Sequence, residues 1–284
     1  MTVLSARLSG DVLTADPAPA LPWWSFSKTA IAALICDAAA RGELDPDARC
    51  PGRAWTLRDL LGHRAGLGDY GHLPAYKSAV VAGGPAWTAD DFLQAVSIDR
   101  PDTPPRTRFA YSNIGYLLAR QALEAATGRG LAELVTTRLA EPLGIRSVRL
   151  ATDAADFARL PFPAGGYHPG WVAHGCLMGT PGDAVRLLAA ILDWPACAAM
   201  RDAQPLAAEV EGRPWTETGY GLGLMIGRMG AVGSALGHSG GGAFSACAIY
   251  AFPDLPGAPI VASFVPRGDA APAERDAVAR AQTG

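Results

Sequence analysis

The hydrophobic and polar positions along the chain change their pattern twice. Two short alternating stretches, at residues 3–8 and 11–15, surround a Ser-Gly pair and predict two strands joined by a turn. From about residue 25 to residue 194, apolar residues recur at helical spacing behind residues that favour helix starts. After Pro195, apolar runs are again separated by glycine-rich turns, which is typical of strands. Strands are therefore expected at both ends of the chain and helices in the middle.

This order predicts an α+β fold: the terminal strands pair into one antiparallel sheet flanked by terminal helices, and the helical stretch is a large insertion. The expected sheet lobe comprises residues 1–24 and 195–284, the expected helical lobe comprises residues 25–194, and the active site is expected between them. Further strands are predicted at residues 220–229, 231–236, 243–250 and 259–266. Helices are predicted at residues 25–41, 57–62, 113–127, 131–140, 181–192 and 270–282, with another beginning after Thr88, and loops at residues 68–85 and 164–179.

The most continuously apolar of these helices begins with a hydroxyl and an amine. Ser25 and Lys28 lie three residues apart, and residues at that spacing are neighbours on one face of a helix. Only two of the 24 Lys and Arg residues are lysines, Lys28 and Lys77, and a buried lysine, unlike an arginine, can lose its proton. Ser25 and Lys28 are therefore a candidate nucleophile and base. In the structural alternative, Ser25 caps the helix and Lys28 extends towards solvent.

Tyr111 and Asn113 stand where a proline-rich loop turns into the helix predicted at residues 113–127. A loop aimed outward at a helix start can present both side chains to a ligand. The alternative is an aromatic packing residue beside Ser and Asn helix caps. His63, which follows the helix predicted at residues 57–62, is interpreted as a structural histidine at a helix end.

A glycine-rich segment, residues 236–242, lies between two of the predicted strands. Its candidate ligand-binding residues are His238, Ser239, Gly240 and Gly241. Four glycines around a histidine and a serine allow the backbone to run close against a ligand. The alternative is a plain glycine hairpin without chemical function.

Composition narrows the possible functions. The 284 residues are 49% hydrophobic and 18% charged, and the formal net charge of −3 gives no support for nucleic-acid or anionic-membrane binding. The N-terminus lacks a basic-then-apolar signal peptide and no apolar run reaches the length of a membrane span, so a cytoplasmic protein is expected. The five scattered cysteines are expected to be reduced, and no histidine or carboxylate spacing predicts a metal. No cofactor is expected, and the oligomeric state is not predicted.

Three short motifs, in this order and at these separations, resemble those of the serine β-lactamase-like hydrolases. They are S-x-x-K at residues 25–28, Y-x-N at residues 111–113 and H-S-G at residues 238–240. The chain is most similar to the branch that contains class C β-lactamases, DD-carboxypeptidases, D-aminopeptidases and esterases with a β-lactamase fold. Residues 60–67 and 220–224 also resemble stretches of that branch. The chain departs from the family in a shorter segment before Ser25 and in His238, where lysine is usual.

The resemblance implies roles for these residues. Ser25 is expected to be the nucleophile, and Lys28 with Tyr111 to remove and relay its proton. Tyr111 would need nearby cations to act as a base, and Lys28 and, where it is charged, His238 could supply them. Which of Lys28 and Tyr111 is the base at each step is left open. Asn113 is expected to hold the substrate and to orient Lys28. Contact with the substrate or its oxyanion is expected from Asn113, His238, Ser239, Gly240 and Gly241, with the backbone N–H groups of Ser25 and Gly241 as the oxyanion hole.

The expected function is a serine hydrolase that acts through an acyl-enzyme on small esters or amides. Histidine in the third motif argues against β-lactamase activity, because the lysine form is the usual partner of a β-lactam carboxylate. The alternatives are a DD-carboxypeptidase or weak β-lactamase, a non-hydrolytic ligand-binding protein, and an acyltransferase. The expected partner is a small-molecule ester or amide, and neither a nucleic acid nor a membrane is expected.

Overall fold

The structure, a computed structural model, describes residues 2–206 and 210–283. The strands, in chain order, are β1 (Leu4–Ser9), β2 (Val12–Ala15), β3 (Leu21–Pro22), β4 (Arg149–Ala151), β5 (Cys176–Gly179), β6 (Gln204–Pro205), β7 (Glu217–Tyr220), β8 (Met225–Arg228), β9 (Ser234–Gly241), β10 (Ser245–Ala251) and β11 (Ile260–Pro266). The α-helices are α1 (Ser27–Ala40), α2 (Leu57–Leu61), α3 (Pro74–Ala82), α4 (Ala89–Val96), α5 (Asn113–Thr127), α6 (Leu131–Leu134), α7 (Pro181–Asp193) and α8 (Ala271–Gln282).

These strands form two antiparallel sheets. The larger has eight strands in the order β2-β1-β11-β10-β9-β8-β7-β6, and the smaller has three in the order β3-β5-β4. Strand β1 pairs with β11, with Leu4 opposite Phe264, so the larger sheet joins strands from the two ends of the described chain. The predicted α+β fold, with terminal strands in one antiparallel sheet and helices in the middle, is confirmed.

The central strands of the larger sheet are buried on both faces. Along β10, Ala246, Ala248 and Tyr250 pack in one apolar cluster with residues of α8. The alternate residues Cys247 and Ile249 belong to the main core, which also contains α1 and α7. Helix α7 packs against β1, β10 and β11, so it covers the sheet face opposite α8.

Helix α1 runs through the main core. Its buried residues include every position from Ser27 to Ile35, which is why its sequence is apolar around most of its circumference. The buried helix predicted at residues 25–41 is therefore confirmed. A 3-10 turn, Trp24–Phe26, leads into α1 and carries Ser25.

The strand predicted at residues 220–229 was wrong in extent. It is two strands, β7 and β8, paired around a tight turn. Leu222 and Leu224 of that turn are buried, so its sequence lacks the polar residues that usually mark a turn. Gly223 has a φ of 67°, and a Cβ there would lie 2.7 Å from the Cβ of Ala32. The turn packs against α1, and that contact explains its apolar character.

Both predicted loops contain regular structure. Residues 68–85 include α3, which begins at Pro74, a residue suited to the first position of a helix. Residues 164–179 end in β5, which is buried along its whole length at the centre of the small sheet. Both elements are short, so tertiary packing rather than local pattern specifies them. Within the described ranges, no helix is long and apolar enough to cross a membrane.

Candidate active site

Ser25 is presented by a strained turn. The preceding residue, Trp24, has a φ of 45°, in the left-handed region that costs a non-glycine residue about 1 to 3 kcal/mol. The Trp24 indole N–H donates to Ser245 Oγ at 3.0 Å, and its ring packs edge-on against Phe244. These contacts hold the turn in place. Helix α1 has no side-chain cap, so Ser25 does not have the capping role of the structural alternative.

Lys28 is directed at Ser25 from the first turn of α1. Its side chain is fully buried, and Nζ lies 3.0 Å from Ser25 Oγ and 2.7 Å from Asn113 Oδ1. Burial lowers the pKa of Lys28 to about 7, and the negative charge of Asp69 acts in the opposite direction. The amine is therefore neutral in a substantial fraction of molecules at neutral pH. The alternative in which Lys28 extends to solvent was wrong.

Tyr111 contacts the same hydroxyl from the other side. Its phenol donates to Ser25 Oγ at 3.0 Å. Burial raises the pKa of Tyr111 above its usual range; the hydrogen bond to Ser25 opposes this shift and Asp69 adds to it. The phenol is thus a neutral donor at physiological pH. Desolvation thus outweighs the nearby cations, although Tyr111 is 37% exposed, and the phenol lacks the lowered pKa that a tyrosine base would need.

Asn113 is the first residue of α5 and is fixed by Asp69, a residue that the motifs did not indicate. Asp69 accepts from the Asn113 backbone N–H at 2.7 Å and from its Nδ2 at 3.1 Å. Because Nδ2 is engaged there, Oδ1 is left to accept from Lys28. Ser112 caps the helix with its Oγ, which accepts from the Gly115 N–H.

His238 is neutral and faces Tyr220. Its Nδ1 lies 2.5 Å from the Ser239 carbonyl oxygen, which can only accept, so Nδ1 carries the proton. Its Nε2 then accepts from the Tyr220 hydroxyl at 2.9 Å. Burial, reinforced by Lys28, lowers the pKa of His238 to about 3. His238 therefore supplies no cation to Tyr111, because the imidazole is buried and no carboxylate of the described residues holds a proton on it.

The third motif lies inside a strand, not between strands as predicted. Strand β9 continues through it, with Gly240 opposite Cys247 and Gly241 opposite Ala246 in β10. A Cβ at Gly240 would lie 2.7 Å from the backbone N of Ser25. The glycine is thus required for β9 to approach the turn that carries Ser25.

Ser239 lines the cleft, but its hydroxyl is hydrogen-bonded to buried residues instead of being free to bind a ligand. Ser239 Oγ donates to Glu274 and lies 2.7 Å from the Tyr250 hydroxyl. Glu274 is fully buried, accepts from the Trp215 indole N–H at 3.1 Å, and forms an ion pair with Arg213 through both carboxylate oxygens. Nothing in the sequence pattern indicated this network, since Glu274 lies in a polar, alanine-rich helix that resembles a surface helix.

Two further histidines lie near Lys28. His63 Nδ1 accepts from the Ser112 backbone N–H at 3.1 Å, as expected of a structural histidine. His174 Nε2 lies 3.3 Å from Lys28 Nζ and is buried. Burial, reinforced by Lys28, holds the pKa of both imidazoles well below its usual range. His174 was not predicted as a site residue, because it stands alone in a loop-like stretch.

Two cavities meet at Ser25, and Tyr111 and Gly241 line both of them. One cavity, of about 390 Å³, extends along β9 and has mostly apolar walls, with the polar residues Arg213, His238 and Ser239 among them. The other, of about 640 Å³, is lined by several aromatic residues, which include Trp24, Tyr70, Tyr76, Tyr167 and Trp171, and by the polar residues Lys77, Asn113 and His174. The hydroxyl of Ser25 therefore faces a cleft with room on each side for an organic group.

Comparison with known proteins finds relatives over part of the chain. A D-aminopeptidase of Cereibacter sphaeroides is 31% identical over 99 residues, which are 34% of this chain and 19% of that protein. A D-aminopeptidase of Brucella anthropi is 29% identical over 153 residues, which are 50% of this chain and 28% of that protein. The matched segments thus span 19% and 28% of the length of these two curated relatives.

Solved structures share the fold over almost the whole chain. A D-stereospecific amidohydrolase from Streptomyces sp. superposes with a TM-score of 0.79 at 22% identity, over 99% of this chain and 93% of that chain. A D-amino acid amidase from Ochrobactrum anthropi SV3, complexed with D-phenylalanine, has a TM-score of 0.78 at 20% identity, over 98% and 92% of the two chains. The sequence model of one family, Beta-lactamase, matches residues 13–283. Since that match includes every element from the second strand to the last helix, the chain belongs to the beta-lactamase family.

Proposed function

We propose that the protein is a serine hydrolase that acts through an acyl-enzyme on small amides and esters. One observation carries the proposal: Ser25 Oγ lies 3.0 Å from both Lys28 Nζ and the Tyr111 hydroxyl. A serine hydroxyl needs a neighbouring base to attack a carbonyl carbon, and a neutral amine within hydrogen-bond distance is such a base.

In the proposed acylation step, Lys28 is the base and Tyr111 the donor. Lys28 accepts the Ser25 proton because its pKa, about 7, leaves much of the amine uncharged at neutral pH. The phenol of Tyr111, whose pKa is raised, passes a proton to the departing amine or alcohol and regains one from Lys28. Water then attacks the acyl-enzyme by the reverse proton route.

The oxyanion is proposed to bind the backbone N–H groups of Ser25 and Gly241. Each donor of this kind is typically worth about 3 to 4 kcal/mol of transition-state stabilisation. The close approach of Gly240 to the backbone of Ser25 supports this assignment, because it brings the end of β9 beside the nucleophile. Asn113 is proposed to bind both the substrate and Lys28. Gly240 and Gly241 are proposed to contact the substrate.

The substrate is proposed to be a small amide or ester with apolar groups. The names of the relatives, D-aminopeptidase and D-amino acid amidase, favour amides. The apolar and aromatic walls of the two cavities favour apolar substituents. The neutral His238 gives no cation for a β-lactam carboxylate, which makes β-lactamase activity the weaker alternative.

The remaining sequence predictions stand as proposals. The cleft is proposed to lie between a sheet lobe, residues 1–24 and 195–284, and a helical lobe, residues 25–194, with α7 of the helical lobe packed on the sheet. A cytoplasmic location, and the absence of nucleic-acid partners, also remain predictions.

Acylation of Ser25 tests the proposed function. The protein is mixed separately with a p-nitrophenyl ester, D-phenylalanine p-nitroanilide, a penicillin and a fluorophosphonate, and intact mass is measured. We expect a covalent adduct and turnover that disappear in Ser25→Ala and persist in the matched control Ser27→Ala, whose hydroxyl accepts from the Leu177 N–H away from the cleft. An adduct retained in Ser25→Ala, or none with any reagent, contradicts the proposal. Products formed with added alcohols or amines distinguish acyl transfer from hydrolysis.

A further inference from the structure

The Lys28 amine has three hydrogen-bond partners, and one of them lies outside the three motifs. His174 Nε2 is 3.3 Å from Nζ, beside Asn113 Oδ1 at 2.7 Å and Ser25 Oγ at 3.0 Å. His174 lies just before β5, and its side chain is buried together with that of Lys28. An amine in the interior depends on such neighbours, because no bulk water is present to replace them.

Only one arrangement of protons leaves the amine free to receive the proton of Ser25. A proton on His174 Nε2 would donate to the lone pair of Lys28 and occupy the receiving position. With Nε2 unprotonated, the two N–H bonds of a neutral amine go to Asn113 and to His174. The lone pair is then directed at Ser25 Oγ, the third partner.

We propose that His174 is a positioning residue that accepts an N–H of Lys28 and thereby directs the amine lone pair to the Ser25 hydroxyl. This inference rests on the proposed function. In acylation, the O–H bond of Ser25 breaks, its proton bonds to Nζ, and Oγ bonds to the substrate carbonyl carbon while the carbonyl π electrons move to oxygen. The ammonium that results keeps Asn113 and His174 as acceptors, so its third N–H points to the reacting group.

Charges around the amine are compatible with this role. Burial and the positive charge of Lys28 keep the pKa of His174 well below its usual range, so its imidazole is neutral. It accepts at Nε2 in the tautomer that carries its proton on Nδ1, a buried atom with no hydrogen-bond partner among the described residues. Asp69 is the acidic residue that raises the pKa of Lys28, and Cys176 contributes in the same direction. The other titratable groups that face Lys28 are Tyr111, Tyr116, His63 and His238.

Lysine NMR tests the contact without any substrate, because the chain contains only two lysines. Protein labelled with ¹³C at the lysine ε carbon gives two titrating signals, and Lys77→Arg identifies that of Lys28. In the wild type we expect a midpoint at about 7. In His174→Leu the ammonium loses an acceptor, so the midpoint falls by about one pKa unit or more. His174→Gln supplies a new acceptor and recovers most of that shift.

The same variants are then compared in steady-state kinetics. His174→Leu is expected to lower kcat about tenfold or more with little change in KM, and to move the acid limb of kcat/KM to lower pH. His174→Gln is expected to recover activity and the position of the limb together. A purely structural role would reduce activity in both variants without moving the limb. Thermal unfolding verifies the fold of each, and His174→Ala replaces His174→Leu should the latter not fold.

Two results separate this inference from the proposed function. A Lys28 midpoint that is unchanged in His174→Leu, or equal in His174→Leu and His174→Gln, overturns the role of His174 even when Ser25 is acylated. Shifted midpoints without any Ser25-dependent adduct overturn the proposed function. The NMR would then still show the contact between His174 and Lys28, but that contact would have no role in catalysis.

Discussion

Asp69 binds Asn113 at two points, accepting from its backbone N–H at 2.7 Å and from its side-chain Nδ2 at 3.1 Å. This pairing turns Asn113 Oδ1 towards Lys28. The same carboxylate raises the pKa of Lys28 against the effect of burial. Asp69 therefore both orients the amide and sets the proton affinity of the amine.

Replacement of Asp69 by asparagine should affect both properties. Loss of the negative charge lowers the pKa of Lys28, so the acid limb of kcat/KM should move to lower pH. Asn at position 69 no longer fixes the orientation of the Asn113 amide, and this loss should lower kcat about tenfold. A pH–rate profile measures both effects, and Asp90→Asn, an exposed residue in the first turn of α4, is the control. A limb that stays in place or moves to higher pH would contradict the assigned charge effect.

The activity should rise with pH around neutrality. The productive form of Lys28 is the neutral amine, so kcat/KM should increase through a midpoint at about 7 as the ammonium loses its proton. No alkaline fall from Tyr111 is expected up to about pH 10, because its pKa is raised above its usual range.

Lys28→Arg tests whether the group at position 28 must lose its proton for the enzyme to act. Arginine keeps a positive charge and cannot lose its proton, so activity should fall by about 10² to 10⁴ and should not recover at high pH. Lys77→Arg, at the other lysine of the chain, measures what the same exchange costs at the wall of the larger cavity when the proposed base is kept. Recovery of Lys28→Arg above neutrality would show that a different group is the base.

Gly240→Ala should damage both stability and acylation. The new Cβ would lie 2.7 Å from the Ser25 backbone N and 2.7 Å from Trp24 Cβ, and neither can move without displacing the turn. Overpacking of this kind typically costs about 1 to 3 kcal/mol. Urea unfolding and the rate of fluorophosphonate labelling report the two effects. Gly84→Ala, in a loop with nothing within 4 Å of the added Cβ, should leave both unchanged. Normal labelling in Gly240→Ala would show that β9 does not constrain the serine.

Glu274→Ala should destabilise the protein by about 2 to 3 kcal/mol. The carboxylate is fully buried and serves Arg213, Trp215 and Ser239, so its loss leaves a guanidinium and polar atoms without their partner. This expected loss of unfolding free energy is smaller than for a fully buried ion pair, because the Arg213 side chain is 25% exposed. Chemical unfolding gives the comparison with Glu133→Ala, which removes an exposed ion pair and should cost less than about 0.5 kcal/mol.

Sequence patterns were sufficient for residues whose neighbours are close in the chain or belong to a motif. The spacing of Ser25 and Lys28 on a helix predicted their contact, and the near absence of lysine predicted an unusual environment for Lys28. Tyr111 and Asn113 required the resemblance, because only the fold brings the start of α5 against α1. In the structure, Tyr111 contacts Ser25 and Asn113 contacts Lys28.

Residues that act singly were not predictable. Asp69 and His174 lie in loop-like stretches without a motif, and Glu274 lies in a helix whose sequence resembles a surface helix. Each gains its role from a contact distant in sequence. The neutral state of His238 was not predictable for the same reason, since protonation depends on burial and not on residue type. Strands β7 and β8 were merged because their connecting turn is apolar, and it is apolar because it packs against α1.

The pairing of β1 with β11 has a consequence for how the protein reaches its native state. Leu4 meets Phe264 only when nearly all of the chain is available, so the fold has many contacts between residues that are far apart in sequence. Such topologies fold slowly, because long loops must close before their contacts stabilise them. During synthesis, Ser25 and Lys28 emerge early, yet β9 and Gly240 emerge near the end. We expect that a nascent chain arrested before β9 does not react with a fluorophosphonate, and that reactivity appears only when the last strands have emerged from the ribosome.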